Sequence, residues 1–313
     1  MKTVAVTGAS GFIGRRLLSV LTERGFAVRA LVRGAPGNVP GVEWVRGDLG
    51  DRAALAKLID GADAIVHGAG AVKALNAEGF NTVNAIGTAT LADVALARTT
   101  PPRFIHVSSF AAREPHLSAY AMSKAAGEQT AWAQRHRMPV VVLRPPAVYG
   151  PGDREALRVL QMAARGVILV PAVQGARLSL VHVDDAARAV LAALDLDALP
   201  DHPVEFDDHA ARGYGWDEVA YAAATALGRP VRTVSVPRAA LYASGAVGTL
   251  IARLTGRASV LSWDKVGEVL HPDWVAATPR LAGYTPRWTL AEGFKNTAEW
   301  ADSQGLLRLQ RGN

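Results

Sequence analysis

Tyr120 and Lys124 lie four positions apart in the run Tyr-Ala-Met-Ser-Lys, the spacing that stacks two side chains on one face of a helix. A free phenol titrates at about 10 and is a poor acid or base at neutral pH, whereas a neighbouring ammonium favours its phenolate. Tyr120 could then pass a proton to or from a substrate hydroxyl while a hydride moves at the attached carbon. Ser109, at the end of the apolar run before this segment, could hydrogen-bond the same oxygen. Tyrosine–lysine pairs at this spacing also occur on ordinary surface helices, so the pair gains meaning from its company.

That company is a glycine loop. Val4–Val6 runs into Thr7-Gly8-Ala9-Ser10-Gly11-Phe12-Ile13-Gly14 and directly on into a helical pattern. Gly8, Gly11 and Gly14 permit a tight turn, close approach of backbone to a pyrophosphate and close helix–strand packing, with Phe12 and Ile13 between them. The free N–H groups of the helix end would face phosphate oxygens. Arg33 ends the next strand, where an acidic residue would suit the ribose hydroxyls of NAD. A planar guanidinium can pair with a 2′-phosphate instead, which favours NADP over NAD; an ordinary exposed loop arginine is the competing reading. Asp48 and Leu49, after the third strand, suit the adenine, and Ala69 and Gly70, after the fourth, let a dinucleotide pass close to the backbone.

The segments that must position these residues alternate between strand and helix signals. Strands are expected at Thr3–Val6, Ala27–Val32, Val42–Val45, Ala64–Val66, Phe104–Val107 and Val140–Leu143, with helices at Phe12–Arg24, Asp51–Ile59, about Phe80–Ala97 and Ala119–Arg135. Such alternation implies an α/β fold with a parallel sheet covered on both faces and ligands beyond the strands' carboxyl ends. After residue 150 the pattern loosens. Residues 1–165 are expected to form the dinucleotide-binding domain, with 178–197 returning to it, and 198–313 with 166–177 a smaller, mostly helical substrate domain.

Half of the 313 residues are hydrophobic and 20% are charged, enough for a large core and too apolar for disorder. With no cysteine, disulfides, thiolate metal sites and cysteine nucleophiles are excluded. The net charge of +6 comes from 28 Arg and 6 Lys against 28 acids. The arginines are scattered, which argues for a solvated surface and against a nucleic-acid track. No amino-terminal signal is visible, so a soluble cytoplasmic protein is expected. The longest apolar stretch, Ala239–Ala252, is shorter than the roughly 20 residues a bilayer needs. It reads as a buried helix or the wall of a lipophilic pocket, to which Trp263 and Trp274 would add.

Taken in order, these residues resemble the extended short-chain dehydrogenase/reductase family, the NAD(P)-dependent epimerase/dehydratase group. The matching pieces are TGASGFIG at 7–14, HGAG at 67–70, NAIGT at 84–88, VSS at 107–109, YAMSK at 120–124, LRPPAVYGPGD at 143–153, VHVDD at 181–185 and GYTPRWTLAEGF at 283–294. The resemblance implies a Rossmann doubly wound parallel sheet, catalytic roles for Ser109, Tyr120 and Lys124, and a hold by Lys124 on the nicotinamide ribose. It also implies Pro145 and Val148 near the nicotinamide, and a homodimer.

Four departures narrow the reaction. Phe110-Ala111 replaces the acidic pair that sugar-nucleotide dehydratases carry after the serine, and Ala112-Arg113 replaces the Tyr-Gly usual in sugar-nucleotide epimerases. Pro145-Pro146 stands where epimerases place a substrate-binding Asn, and Leu178 where a phosphate-binding Arg often lies, with Arg177 one position off. What remains resembles the dihydroflavonol-reductase and 3β-hydroxysteroid-dehydrogenase branch. The expected function is an NADP-dependent carbonyl/alcohol interconversion on a small lipophilic or ring substrate. The alternatives are an NAD-dependent nucleotide-sugar epimerase and a non-catalytic dinucleotide-binding protein. His182 with Asp184-Asp185 is read as a strand-to-helix junction with Asp as cap, not a metal site. His116 is read as either a lining or a loop residue.

Overall fold

The computed structural model describes residues 1–35, 37–256, 262–277 and 280–309. Its first part alternates as β1 (Thr3–Thr7), α1 (Phe12–Glu23), β2 (Ala27–Val32), β3 (Val42–Arg46), α2 (Arg52–Ile59), β4 (Ala64–His67), α3 (Ala77–Asn81), α4 (Gly87–Leu96), β5 (Arg103–Val107), α5 (Ala119–Trp132) and β6 (Val140–Arg144). There follow β7 (Ala147–Tyr149), α6 (Arg154–Ala163), β8 (Val167–Pro171), β9 (Arg177–Leu178), β10 (Leu180–His182), α7 (Val183–Leu194) and β11 (Val204–Glu205). The chain ends with α8 (Trp216–Leu227), β12 (Arg232–Val236), α9 (Arg238–Thr255), α10 (Val266–Val269), β13 (Asp273–Trp274) and α11 (Leu290–Ser303).

Seven strands form one parallel sheet in the order β11-β6-β5-β4-β1-β2-β3. Period-2 alternation sends Val4, Val6, Ile105, Val141 and Leu143 to one face, where α1 and α7 cover them. Ala5, Ile65, Phe104, Val140 and Val142 point the other way, under α2, α4 and α5. Strand order reverses between β1 and β4, and the crevice at that reversal is where such sheets bind ligands.

A third core joins α6, β8, α8 and α11 through Leu160, Ile168, Val219, Leu227 and Phe294. Helix α6 therefore packs with the carboxyl-terminal part, while β11 hydrogen-bonds to β6 in the large sheet. The apolar segment 239–252 differs from its buried-helix reading, since Gly245 and Ala252 are the buried residues of α9. No helix among the described residues is long and apolar enough to cross a membrane.

Candidate active site

Two loops meet at the reversal. Gly8 has φ +74°, and a Cβ there would lie 2.4 Å from the Gly68 carbonyl carbon, so the β1 loop touches the β4 loop only without a side chain. A Cβ on Gly14 would lie 2.1 Å from Gly8 O, which lets α1 start directly beneath the turn. Gly11 is the N-cap of α1 and supplies no side-chain cap, so the first amides of the helix lack that partner. Phe12 and Ile13 are partly buried behind it, with Ile13 packed on the core. This uncapped, glycine-walled helix end fits a dinucleotide pyrophosphate.

At the adenosine end, Arg33 is exposed beyond β2, and among the described residues it has no hydrogen-bond or ion-pair partner. Arg46, which pairs in register with Val32 at the end of β3, is likewise exposed and unpartnered among them. Asp48 accepts the Gly50 N–H at 2.8 Å. Leu49 packs against the core and meets Gly87 at the start of α4.

The helix expected from Phe80 to Ala97 contains a π-helical turn, Thr82–Ile86, between α3 and α4, a device that often marks functional sites. The turn aims Asn84 inward. Its Oδ1 accepts the Ala71 N–H at 2.7 Å and its Nδ2 donates to Ser123 Oγ at 2.8 Å. From there a chain of hydrogen bonds runs back to the glycine loop. Thr88 Oγ1 donates to Asn84 O (2.7 Å), so His67 Nε2 must donate to Thr88 Oγ1 (2.9 Å). Thr7 Oγ1 in turn donates to His67 Nδ1 (2.7 Å) and accepts the Ala69 N–H (3.2 Å). One neutral tautomer satisfies every atom, and burial holds the His67 pKa down at about 3. Ala69 is thereby fixed beside the crevice. Gly70 faces the site directly, since a Cβ there would lie 3.2 Å from Asn84 Oδ1 and 3.8 Å from Lys124 Nζ.

The two serines after β5 part ways. Ser108 is buried and donates to Glu128 Oε2 at 2.7 Å. Ser109 is only partly buried, caps the short helical turn Phe110–Arg113, and hydrogen-bonds the Tyr120 hydroxyl. Ser118 caps α5, whose first turn carries Tyr120 and whose second carries Lys124. Lys124 is 7% exposed and donates from Nζ to Val107 O at 2.9 Å. Burial pulls its pKa down to about 8, against the pull of Glu128 in the other direction. Pro145 is buried and accepts the Phe110 N–H at 3.0 Å, next to Ser109. Val148 is partly buried and packs on the core from β7. The structure thus brings Ser109, Tyr120, Lys124, Gly70 and Pro145 to one end of the sheet, with Asn84 among them.

Tyr120 differs from the expected ammonium-assisted phenolate. Burial pushes it up to about 12, and although the Ser109 hydrogen bond lowers it, Glu268 raises it further. At neutral pH the phenol keeps its proton in the cofactor-free protein, the state required to donate one.

Residues far along the chain complete the site. Lys265 Nζ lies 4.2 Å from the Tyr120 ring centroid and 2.7 Å from Glu268 Oε2, a cation over a π face. Asp264 accepts the Ala119 N–H at 2.7 Å, and Glu268 accepts from Ser118 Oγ. Phe80 meets Tyr120 edge-on, with ring centroids 5.9 Å apart. Asn84 was legible only as part of a motif, and Asp264, Lys265 and Glu268 had no local signal. A cleft of about 540 Å³, lined by Phe80, Ala119, Leu250, Trp263 and Asp264 among others, opens beside this group. Trp274 instead donates its indole N–H to Glu268 O, and His116 is exposed.

Other expected features take structural roles. His182, not an aspartate, caps α7, while Asp184 pairs with Arg16 and Asp185 accepts the Arg287 and Trp288 amides at 2.9 Å each. Arg177 is committed to Arg212 O, Gly213 O and Glu218. Arg113 is committed to Glu205 and Val275 O.

A doubly wound sheet with a glycine-walled phosphate cradle and a serine–tyrosine–lysine set at its carboxyl end defines an NAD(P)-dependent oxidoreductase. The family model described as the NAD dependent epimerase/dehydratase family matches residues 4–206, and the chain belongs to that family, among the extended short-chain dehydrogenases/reductases. It is 40% identical over 309 residues to a ceramide reductase of Caulobacter vibrioides (strain NA1000 / CB15N), covering 97% of this chain and 96% of that one. It is 25% identical over 328 residues to a UDP-glucose 4-epimerase of Vibrio cholerae, covering 95% of each. Among solved structures, MoeE5 in complex with UDP-glucuronic acid and NAD shares the fold, with TM-score 0.71 and 21% identity over 97% of this chain and all of that one.

Proposed function

We propose that this protein is an NADPH-dependent reductase of a ketone carried by a long-chain lipid of the ceramide type. The observation that carries this is the 40% identity, over nearly the whole of both chains, to a ceramide reductase. An amide carbonyl is stabilised by resonance, so the reducible group is a ketone on the lipid backbone. When bound, the nicotinamide supplies the hydride to the carbonyl carbon. Tyr120, protonated at neutral pH, gives its proton to the oxygen, so a ketone becomes a secondary alcohol. Ser109 orients that oxygen, and Lys124, already within reach of the Gly70 loop, holds the cofactor ribose.

Arg33 and the neighbouring Arg46, both without partners among the described residues, support NADP over NAD through a 2′-phosphate. The pyrophosphate would rest on Gly8, Gly11 and the first turn of α1, with Asp48 and Leu49 at the adenine and Pro145 and Val148 on the nicotinamide side. A nucleotide-sugar substrate finds less support, because Arg177 and Arg113 are both occupied by protein carbonyls and carboxylates. A homodimer is part of the proposal, supported by exposed Ile86 and Met122 on the helices beside the site. So are the cytoplasmic location and the division into a dinucleotide-binding and a substrate unit.

The test is NADPH consumption with detergent-dispersed N-acylated long-chain amino-ketones, beside steroid ketones, flavanonols and UDP-sugars. Turnover of the lipid ketone above the others is expected. Turnover of UDP-sugars, or tightly co-purifying NAD with no ketone reduced, would overturn it.

A further inference from the structure

Helix α9 is 18 residues long and buries only Gly245 and Ala252. A Cβ on Gly245 would lie 2.8 Å from Val266 Cγ2, so this face is pressed onto the segment that carries Asp264 and Lys265. At 100° per residue the opposite face collects Val247, Leu250, Ile251 and Leu254, which are 56%, 57%, 53% and 77% exposed. Trp263, tilted against Tyr242, and Leu75 on the facing loop are 55% and 59% exposed. Leu75, Leu250 and Trp263 also line the cleft beside Tyr120, so the apolar face and the cleft are one continuous surface. An apolar stripe of this kind on a monomer marks an interaction site.

Its charge indicates what covers it. From Val219 to Trp263, 45 residues, the sequence has five arginines and no Asp or Glu, which is most of the net +6 of the chain. Arg238 and Arg253, near the two ends of α9, are exposed and make no ion pair among the described residues. Two copies joined by this face about a two-fold axis would set these cations against their own copies. An apolar helix flanked by free arginines and without a carboxylate of its own, the Asp264 at the cleft being engaged by the Ala119 N–H, instead suits an anionic lipid surface.

We propose that α9, with Trp263 and Leu75, docks on an anionic bilayer and takes the lipid ketone from it into the cleft. The apolar face enters the headgroup–acyl boundary, Arg238 and Arg253 meet lipid phosphates, and the cleft mouth opens towards the acyl chains. The loading step rests on the lipid-reductase function above; the docking itself can be read without it.

The experiment is co-sedimentation of the full chain with phosphatidylcholine vesicles, with and without phosphatidylglycerol, in the absence of any ketone. Binding to the anionic vesicles is expected, weakening with salt and at least about tenfold weaker for Ile251→Glu/Leu254→Glu and for Arg238→Glu/Arg253→Glu. A blue shift of Trp263 fluorescence, lost in Trp263→Phe, should accompany it. Thermal melts and sedimentation velocity show whether the variants fold. No binding by the parent protein, or equal binding by the folded variants, overturns the proposal. So does a change of oligomeric state in Ile251→Glu/Leu254→Glu, which would give the face to a second copy. A second arm compares ketone lipid in vesicles with a short-chain, water-soluble ketone. Ile251→Glu/Leu254→Glu should lose the first activity and keep the second. Vesicle binding without reduction of any lipid ketone, dispersed or membrane-borne, would remove the function while leaving the dock.

Discussion

Lys124 is the residue whose replacement should improve stability while removing function. Its ammonium is nearly buried, and shifting a lysine from 10.5 to about 8 corresponds to roughly 3 kcal/mol at about 1.4 kcal/mol per pH unit. Lys124→Met removes that cost and also the hydrogen bond to Val107 O, worth about 1 kcal/mol. The cofactor-free variant should therefore be about 2 kcal/mol more stable than the parent at pH 7, a rise in Tm of a few degrees. The sign with pH follows from linkage. Below pH 8 the lysine is protonated both folded and unfolded, so the parent bears the full penalty. Between pH 8 and 10.5 the unfolded chain binds more protons than the folded one, so the parent gains stability as pH rises and the difference closes. Paired thermal or urea melts at pH 7 and pH 10 measure this, with NADPH turnover as the control for lost function. A variant less stable than the parent at pH 7, or a gap that does not shrink towards pH 10, would refute the view that this site holds an unfavourably buried charge.

Tyr120→Phe should lower kcat/KM for ketone reduction by about 10²–10⁴-fold while leaving the NADPH Kd unchanged; loss of cofactor binding instead would give the phenol a different role. Arg33→Ala and Arg46→Ala should each weaken NADPH by about 10–100-fold, the worth of a charge-assisted contact, with little effect on NADH, and equal losses of both in titrations would remove the 2′-phosphate assignment. Glu128→Ala leaves Ser108 without its acceptor and leaves Arg144 with Glu205, 3.7 Å away, as its remaining carboxylate among the described residues; it should cost about 1.5–3 kcal/mol in urea melts, with Glu128→Gln costing less. Lys124 loses its charge near pH 8, so kcat/KM should fall above that pH in the parent; a profile flat to pH 10 would show that its charge is not needed.

The sheet was readable because each strand and crossover helix carries its own period, and Gly8, Gly11 and Gly14 announce a turn that few other residues could make. The Ser109, Tyr120, Lys124 set was readable because two of its members share one helix turn and the third ends the preceding strand. The π turn at Thr82–Ile86 was not, because the roughly 100° phase shift made by one extra residue is blurred where the helix is rich in Ala, Gly and Thr. His67 looked like part of a loop motif, yet its buried tautomer chain joins the glycine loop to Asn84.

Sequence alone determined the glycine loop between strand and helix, the tyrosine–lysine spacing and the absence of thiol chemistry, since each depends on residue type and short-range spacing. Tertiary structure decided that burial keeps the proton on Tyr120, and that Lys265, almost 150 positions away, lies over its ring. It also turned the apolar segment 239–252 outward. Local periodicity says that a helix has an apolar side, but only the packing of the rest of the chain says whether that side meets protein or is left for something else to cover.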